Sequence, residues 1–284
     1  MICFPNAKIN VGLNIGHEGS EGLHDIQSIF IPIKLCDILE VVECVDQENK
    51  VSITYSGITK KIENDLCLKA YNLLDSDYSL PKIKVHLHKK IPFGAGLGGG
   101  SSDAVHMLIL LNDLFKLNLS KLDLLKYSKK IGSDCSFFVY NKPSFVFGSG
   151  DLVKTKEINL FKKKNKKLFL LLVKPINVNI STSEVFSNFR KINRKKVNQT
   201  IDYKSIDNLG EFKNRIFNEL EDVSFKMYPE LSEIKKYMYQ NKAIYSSMSG
   251  SGSVIYGIFS ESININNFKN IFKNHFIWIE DLNF

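Results

Sequence analysis

Residues 92–102 read Pro92-Phe93-Gly94-Ala95-Gly96-Leu97-Gly98-Gly99-Gly100-Ser101-Ser102, and five of the nine from Gly94 onward are glycine. Glycine at that density costs backbone entropy on folding, so it needs a purpose. The alternation over 82–88 predicts a strand before the loop, and the apolar run 103–115 predicts a helix after it. In that setting the loop amides and the positive helix terminus point the same way, which makes a cradle for phosphate. A flexible turn would need fewer glycines. Two better-known loops are excluded. Gly94-x-Gly96-x-x-Gly99 matches the dinucleotide fingerprint, but a strand ending in an acid should follow the helix, and here a second helix follows. A nucleotide P-loop would put lysine at position 100, which is Gly100.

The elements around this loop come from periodicity. Strands are predicted over 7–15, 28–33, 38–44, 51–55, 82–88, 168–173, 243–248, 254–259 and 276–280. Helices are predicted over 66–74 with Asn64 or Asp65 as cap, over 103–115 in the core, and over 122–130 after the cap Ser120. Further helices are predicted over 183–191, 211–223, 230–239 and 266–274. The stretch 139–147, broken by Pro143, reads as a hairpin arm, and Gly148-Ser149-Gly150-Asp151 with the basic residues behind it reads as a linker. Helices and strands mix without a regular βαβ rhythm, so the fold class is α+β, with two domains over 1–152 and 153–284.

Composition narrows the function classes. Apolar residues at 44% are enough for a buried core, and no run of 18 of them occurs, so no helix is expected to span a bilayer. Five cysteines without CxxC spacing predict neither a disulfide framework nor a zinc site, and no metal-ligating residues are assigned. Cys135 is read as a packing residue rather than a reactive thiol. Free thiols, with core-like sequence already at Phe4, predict a reducing, cytoplasmic setting without a leader. The net charge of +8 is local: segment 154–196 carries 13 basic and 2 acidic residues, a net of +11. Its densest part, 162–167, is short and lacks interleaved aromatics, so it reads as a solvated loop rather than a nucleic-acid contact. A polyanion-binding module built on this segment is the non-enzymatic alternative.

With Asp103-Ala104 behind it, the loop 92–102 resembles the ATP loop of the GHMP kinases. Its Gly-Leu-Gly-Gly-Gly-Ser-Ser variant is most similar to the branch acting on 4-diphosphocytidyl-2-C-methyl-D-erythritol. Four more segments agree in order: 5–10 (Pro-Asn-Ala-Lys-Ile-Asn), 22–28 (Gly-Leu-His-Asp-Ile-Gln-Ser), 131–137 (Ile-Gly-Ser-Asp-Cys-Ser-Phe) and 249–253 (Ser-Gly-Ser-Gly-Ser). The resemblance spans nearly the whole chain. It implies an N-terminal domain like ribosomal protein S5 that holds ATP and a C-terminal ferredoxin-like substrate domain. The implied activity is ATP-dependent phosphorylation of the acceptor's 2-hydroxyl in the non-mevalonate isoprenoid pathway. A mevalonate or homoserine type is the alternative within the family.

Residue by residue, the resemblance assigns Asp134 as the catalytic aspartate, which takes the proton of the attacking hydroxyl, and Lys8 as the catalytic lysine beside it. Apart from the resemblance, Asp134 reads more readily as a helix-cap or turn residue after Gly132, and Lys8 as an exposed strand lysine. Pro92 to Ser102 would hold ATP, with Mg²⁺ held mainly by phosphates and Ser101 or Ser102 either touching it or only capping the helix. Asn10, Leu23, His24, Thr182 and Phe186 would bind an acceptor carrying a cytidine diphosphate group. Leu23 stands where the branch has a tyrosine stacked on cytosine, and Asn64-Asp65 inverts the branch's order beside adenine. The implied partners are this small molecule and neither nucleic acid nor membrane, with the chain a monomer or homodimer.

Overall fold

The computed structural model describes residues 1–18, 24–46, 48–58, 64–155, 167–192 and 209–282. These residues form three four-stranded sheets. The first holds β1 (Ile2–Cys3), β4 (Ile38–Glu43), β6 (Ile83–His88) and β5 (Val51–Ser56), in that order, with β5 and β6 parallel. The second holds β2 (Asn6–Glu18), β3 (His24–Cys36), β7 (Ser144–Phe147) and β8 (Leu152–Lys154), all antiparallel. The third runs β10 (Tyr245–Met248), β11 (Ile255–Phe259), β9 (Leu168–Pro175), β12 (His275–Leu282), also antiparallel.

Helices α1 (Leu66–Tyr78), α2 (Gly99–Leu114), α3 (Lys121–Ile131) and α4 (Cys135–Tyr140) cover one face of the first sheet. There Leu39, Val41, Val85 and Leu87 meet Ala104, Leu108, Leu111 and Phe137. The second and third sheets pack face to face, with Ile9, Val11, Ile29 and Ile31 against Leu170, Leu172, Tyr256 and Ile258. The far face of the third sheet, through Leu171 and Val173, is covered by α5 (Thr182–Ile192), α7 (Glu221–Met227), α8 (Pro229–Gln240) and α9 (Ile265–Ile271). Strand β9 is thus buried on both faces, which explains why 168–173 is an unbroken apolar run rather than an alternation. The order of β9, helices, β10, β11, α9, β12 in one antiparallel sheet is the ferredoxin-like split βαβ.

The α+β class holds. Asp65, not Asn64, caps α1, its Oδ1 accepting from Leu68 N at 2.8 Å. The hairpin arm is shorter than expected: Val139 and Tyr140 are helical, and the strand begins at Ser144 after Asn141 turns left-handed at φ 49°. The single helix expected over 211–223 is two, α6 (Leu209–Arg215) and α7, because 217–219 bonds to β2 instead: Leu13 N donates to Phe217 O and Glu219 N to Leu13 O, each at 2.9 Å. The expected linker 148–151 is the tight turn between β7 and β8, and its basic continuation over 156–166 lies outside the described residues. We propose the two-domain division near 152/153 from this topology, although that point falls inside β8 and the second and third sheets share one core.

Candidate active site

The strand from β2's start carries Lys8 and Asn10 beneath the glycine loop, where both are buried to 2% exposure. Lys8 N donates to Leu97 O at 3.0 Å, which ties strand to loop. Lys8 is therefore not an exposed strand lysine. Its Nζ donates to Asn10 Oδ1 at 2.6 Å, lies 3.3 Å from Asp134 Oδ2, and sits 4.4 Å from the centre of the Phe30 ring. Asp134 stands at the N-cap position of α4, yet its side chain makes no capping bond. It faces Lys8 and keeps 31% of its side chain exposed. A carboxylate set that way has lone pairs to spare for a hydroxyl proton, with a cation alongside.

The glycine loop leads into α2, whose N-cap is Gly98. The helix is 16 residues long and buried on most of its circumference, so its free N-terminal amides are fixed toward the loop. Two of the glycines serve the protein as well as any anion. A Cβ on Gly96 would lie 1.8 Å from Ser249 O, and one on Gly98 would lie 3.1 Å from Lys8 Cε. The first clash is with the second glycine-rich segment, 249–253, which braces the first. Ser253 N donates to Gly94 O at 3.0 Å, Val254 N to Ala95 O at 3.2 Å, and Ser249 Oγ to Gly96 O at 2.9 Å.

One cavity of about 650 Å³ opens over these groups. Its wall includes Lys8, Asn10, Asp134 and the loop from Pro92 to Gly100. Its wall also includes His24 on β3 with Thr182 and Phe186 on α5. His24 and Phe186 face each other with ring centres 5.5 Å apart. Thr182 Oγ1 lies 2.9 Å from Ser251 Oγ, which links α5 to the second glycine segment. So the structure brings together the proposed phosphate, proton-transfer and acceptor residues. The lining stops short of Ser101 and Ser102. Ser102 is fully buried, its Oγ 3.3 Å from His106 Nδ1. Leu23 lies outside the described residues. Asp65 does not line the cavity: its carboxylate caps α1 and accepts from Tyr55 Oη at 2.6 Å. Burial pushes the Cys135 thiol up to about 12, in keeping with a packing role.

The cavity also includes residues that sequence reasoning did not assign. Ser149 lines it, and a Cβ on Gly150 would lie 3.3 Å from Asp134 Oδ1, so the turn read as linker is a wall of the site. A short glycine turn between apolar runs was a hairpin signal. Arg190 also lines it, one helical turn beyond Phe186 on α5. Lys89 lines the loop's other side, buried between Asp37 and Asp103, each 2.5 Å from its Nζ.

Comparison with known proteins agrees with this geometry. Residues 65–142 match the GHMP kinases N terminal domain, and residues 198–277 match the GHMP kinases C terminal domain. A 4-diphosphocytidyl-2-C-methyl-D-erythritol kinase of Azobacteroides pseudotrichonymphae is 47% identical over 92% of this chain and 94% of its own length. The chain belongs to the GHMP kinase family. A second relative with that same name, from Bacteroides fragilis, is 42% identical over 92% of both chains. Among solved structures, a 4-(cytidine 5'-diphospho)-2C-methyl-D-erythritol kinase superposes with a TM-score of 0.78 at 23% identity, covering 99% of this chain and 98% of that one. A mevalonate kinase of Methanococcus jannaschii superposes with a TM-score of 0.72 at 17% identity, covering 100% of this chain and 98% of that one. At these identities the structures show the GHMP kinase fold, and the sequence relatives define the branch. A GHMP kinase is an enzyme, so the non-enzymatic polyanion module is set aside. Among the described residues no helix is long and apolar enough to cross a membrane.

Proposed function

We propose that the protein transfers the γ-phosphoryl group of ATP to the 2-hydroxyl of 4-diphosphocytidyl-2-C-methyl-D-erythritol, a step of the non-mevalonate route to isoprenoid precursors. The Lys8–Asp134 pair carries the proposal, because it stands at the mouth of the phosphate loop in the same cavity as His24 and Phe186. Asp134 takes the proton as the acceptor hydroxyl attacks. Lys8 supplies positive charge where negative charge develops, and Asn10 holds the Lys8 ammonium in place through their 2.6 Å hydrogen bond. The amides of 96–100 and the start of α2 hold the phosphates. His24 and Phe186 take the cytosine by edge contact and stacking, and Thr182 approaches the acceptor near Ser251.

Mg²⁺ would neutralise charge on the triphosphate. Among the described residues no group of three His, Cys, Asp or Glu side chains converges as a metal site, so the donor set fits an ion held by phosphate oxygens and water. The protein would act in the cytoplasm, as a monomer or homodimer.

The test is ADP release in a coupled assay, with 4-diphosphocytidyl-2-C-methyl-D-erythritol, mevalonate and homoserine each offered as acceptor. Turnover of the cytidyl compound alone is the expected result. Turnover of mevalonate or homoserine, with none of the cytidyl compound, would overturn the substrate assignment and leave the kinase assignment standing.

A further inference from the structure

Asn218 occupies the break between α6 and α7, where periodicity predicted unbroken helix, and is 3% exposed. Instead the chain leaves the helix and joins β2. Asn218 makes a parallel bridge with Leu13, while Glu219 Oε2 accepts from Ile15 N at 2.6 Å. The Asn218 side chain then uses its full donor set. Nδ2 donates to Met248 O at 2.9 Å and to Gly250 O at 2.7 Å, and Oδ1 accepts from Leu220 N at 3.0 Å. Only a primary amide offers two hydrogens and an acceptor in that space.

The two carbonyls it holds flank Ser249. That residue reaches the site in two directions. Its Oγ donates to Gly96 O at 2.9 Å in the phosphate loop, and lies 3.3 Å from Asn10 Oδ1, the atom that fixes Lys8. Asn10 N in turn donates to Ser249 Oγ at 3.3 Å. Gly250 itself is left-handed at φ 56° and lines the cavity, whereas Asn218 does not. We propose that Asn218 is a positioning residue. It sets the height of 249–253 against β2, and through Ser249 it sets the phosphate loop and the Asn10–Lys8 pair. The His24–Phe186 end of the cavity meets 249–253 at one remove, through the Thr182 and Ser251 hydroxyls at the start of α5, so it should respond less. This inference rests on the assignment of the glycine loop to ATP.

Asn218→Asp tests it, since the shape is kept while two donors become an oxygen facing two carbonyl oxygens. Ionised, that oxygen repels both, and protonated, it donates to one of them. The dissociation constants of ATP and of 4-diphosphocytidyl-2-C-methyl-D-erythritol are measured by calorimetry for wild type and variant at about pH 8 and about pH 6. Circular dichroism sets a temperature at which both are fully folded. We expect ATP to weaken by about tenfold or more at the higher pH, the gap to narrow at the lower pH, and the cytidyl compound to change by less than about threefold. A purely structural role would move Tm but give neither the pH dependence nor the split between ligands. If Asn218→Asp does not fold, Asn218→Ser keeps one donor without charge and should show the same split at a smaller size. Equal losses for the two ligands, or no loss of ATP binding in a folded variant, would overturn the proposal. Failure of the wild type to bind ATP would strike the loop assignment instead.

Discussion

Lys8 and Lys89 touch adjacent glycines of one loop, and each faces carboxylate, but the two settings differ in exposure and in charge balance. A Cβ on Gly98 would meet Lys8, and one on Gly99 would come within 3.5 Å of the Lys89 ammonium. Among the described residues Lys8 has one acidic partner, at 3.3 Å, and that partner is open to the cavity. Lys89 has two, both sealed from solvent, with Asp37 Oδ1 also accepting from Ile91 N at 2.8 Å. Exposure leaves Asp134 free to exchange protons with a ligand. In the sealed cluster Lys89 lines the cavity but Asp37 and Asp103 do not, and the three fasten the end of β6 to the start of α2 at the foot of the loop. The spare carboxylate shows in its chemistry. Burial, with help from Asp37 and against the pull of Lys89, pushes the Asp103 carboxyl up to about 8, and its Oδ1 has no hydrogen-bond partner.

The largest effect should come from the open pair. Asp134→Asn removes the proton acceptor, and we expect kcat to fall by ~10²–10⁴, about 3–5 kcal/mol, with Tm nearly unchanged. Lys8→Ala should give a similar loss, and the double variant little more, because the two act as a unit. Near-normal turnover in Asp134→Asn would remove the distinction between the two lysines. The sealed cluster should answer in the opposite currency. Lys89→Met leaves Asp37, beside Asp103, buried without its cation, and we expect ~3–5 kcal/mol of stability lost in urea unfolding. A variant as stable as wild type would show that the cluster does not hold the fold.

The glycines separate the two lysines more finely. Gly98→Ala places a side chain at φ 69° and against Lys8, so about 1–2 kcal/mol of backbone strain should appear together with a fall in kcat. Gly99→Ala would crowd Ile91 Cγ2 at 2.9 Å on the Lys89 side, so Tm should fall by more than kcat does. The reverse order would exchange the two assignments.

The smallest effect is a pH dependence. Asp103 keeps its proton up to about 8 when folded, against an ordinary carboxylate value of 3.8. Between those limits the folded state holds more protons than the unfolded one, so this group makes stability fall as pH rises. Asp103→Asn removes the titration and leaves Lys89 with Asp37 alone. Relative to wild type the variant should gain stability steadily from about pH 6.5 to pH 8, by roughly 1–2 kcal/mol in all, read as Tm across that range. A constant difference would mean that Asp103 is already ionised at the lower end.

Much of this was legible in the residues because it is local. The strand–loop–helix around 92–102 follows from a period of two, a block of glycine and an apolar run, and β9 follows from an apolar run of strand length. Lys8 and Asp134 were legible through motif order, not through spacing, since 126 positions separate them and only the fold brings them together. What sequence missed was decided by tertiary bonding. Periodicity carried the helix through 216–220, but Asn218 found better partners on Met248 and Gly250. The turn 148–151 looked like a linker because glycine and serine are also linker residues, and nothing local marks a turn as the wall of a cavity. The cluster of Asp37, Lys89 and Asp103 draws on three separate elements, so no window of sequence contains it.

Helix α5 has two faces with separate duties. Val185 and Phe189 anchor it in the core beneath the third sheet, while Thr182, Phe186 and Arg190 look into the cavity. Phe186 belongs to both sets, since it also packs against the core cluster of Val185 and Phe189. Substitution at 190 spares Val185 and Phe189, whereas changes at 186 also touch the core and changes at 182 lose the contact with Ser251. We propose that, in evolutionary terms, the acceptor preference of this enzyme is a replaceable surface on a fixed engine. A library randomised at those three positions is the shortest route from this chain to a kinase for a different alcohol.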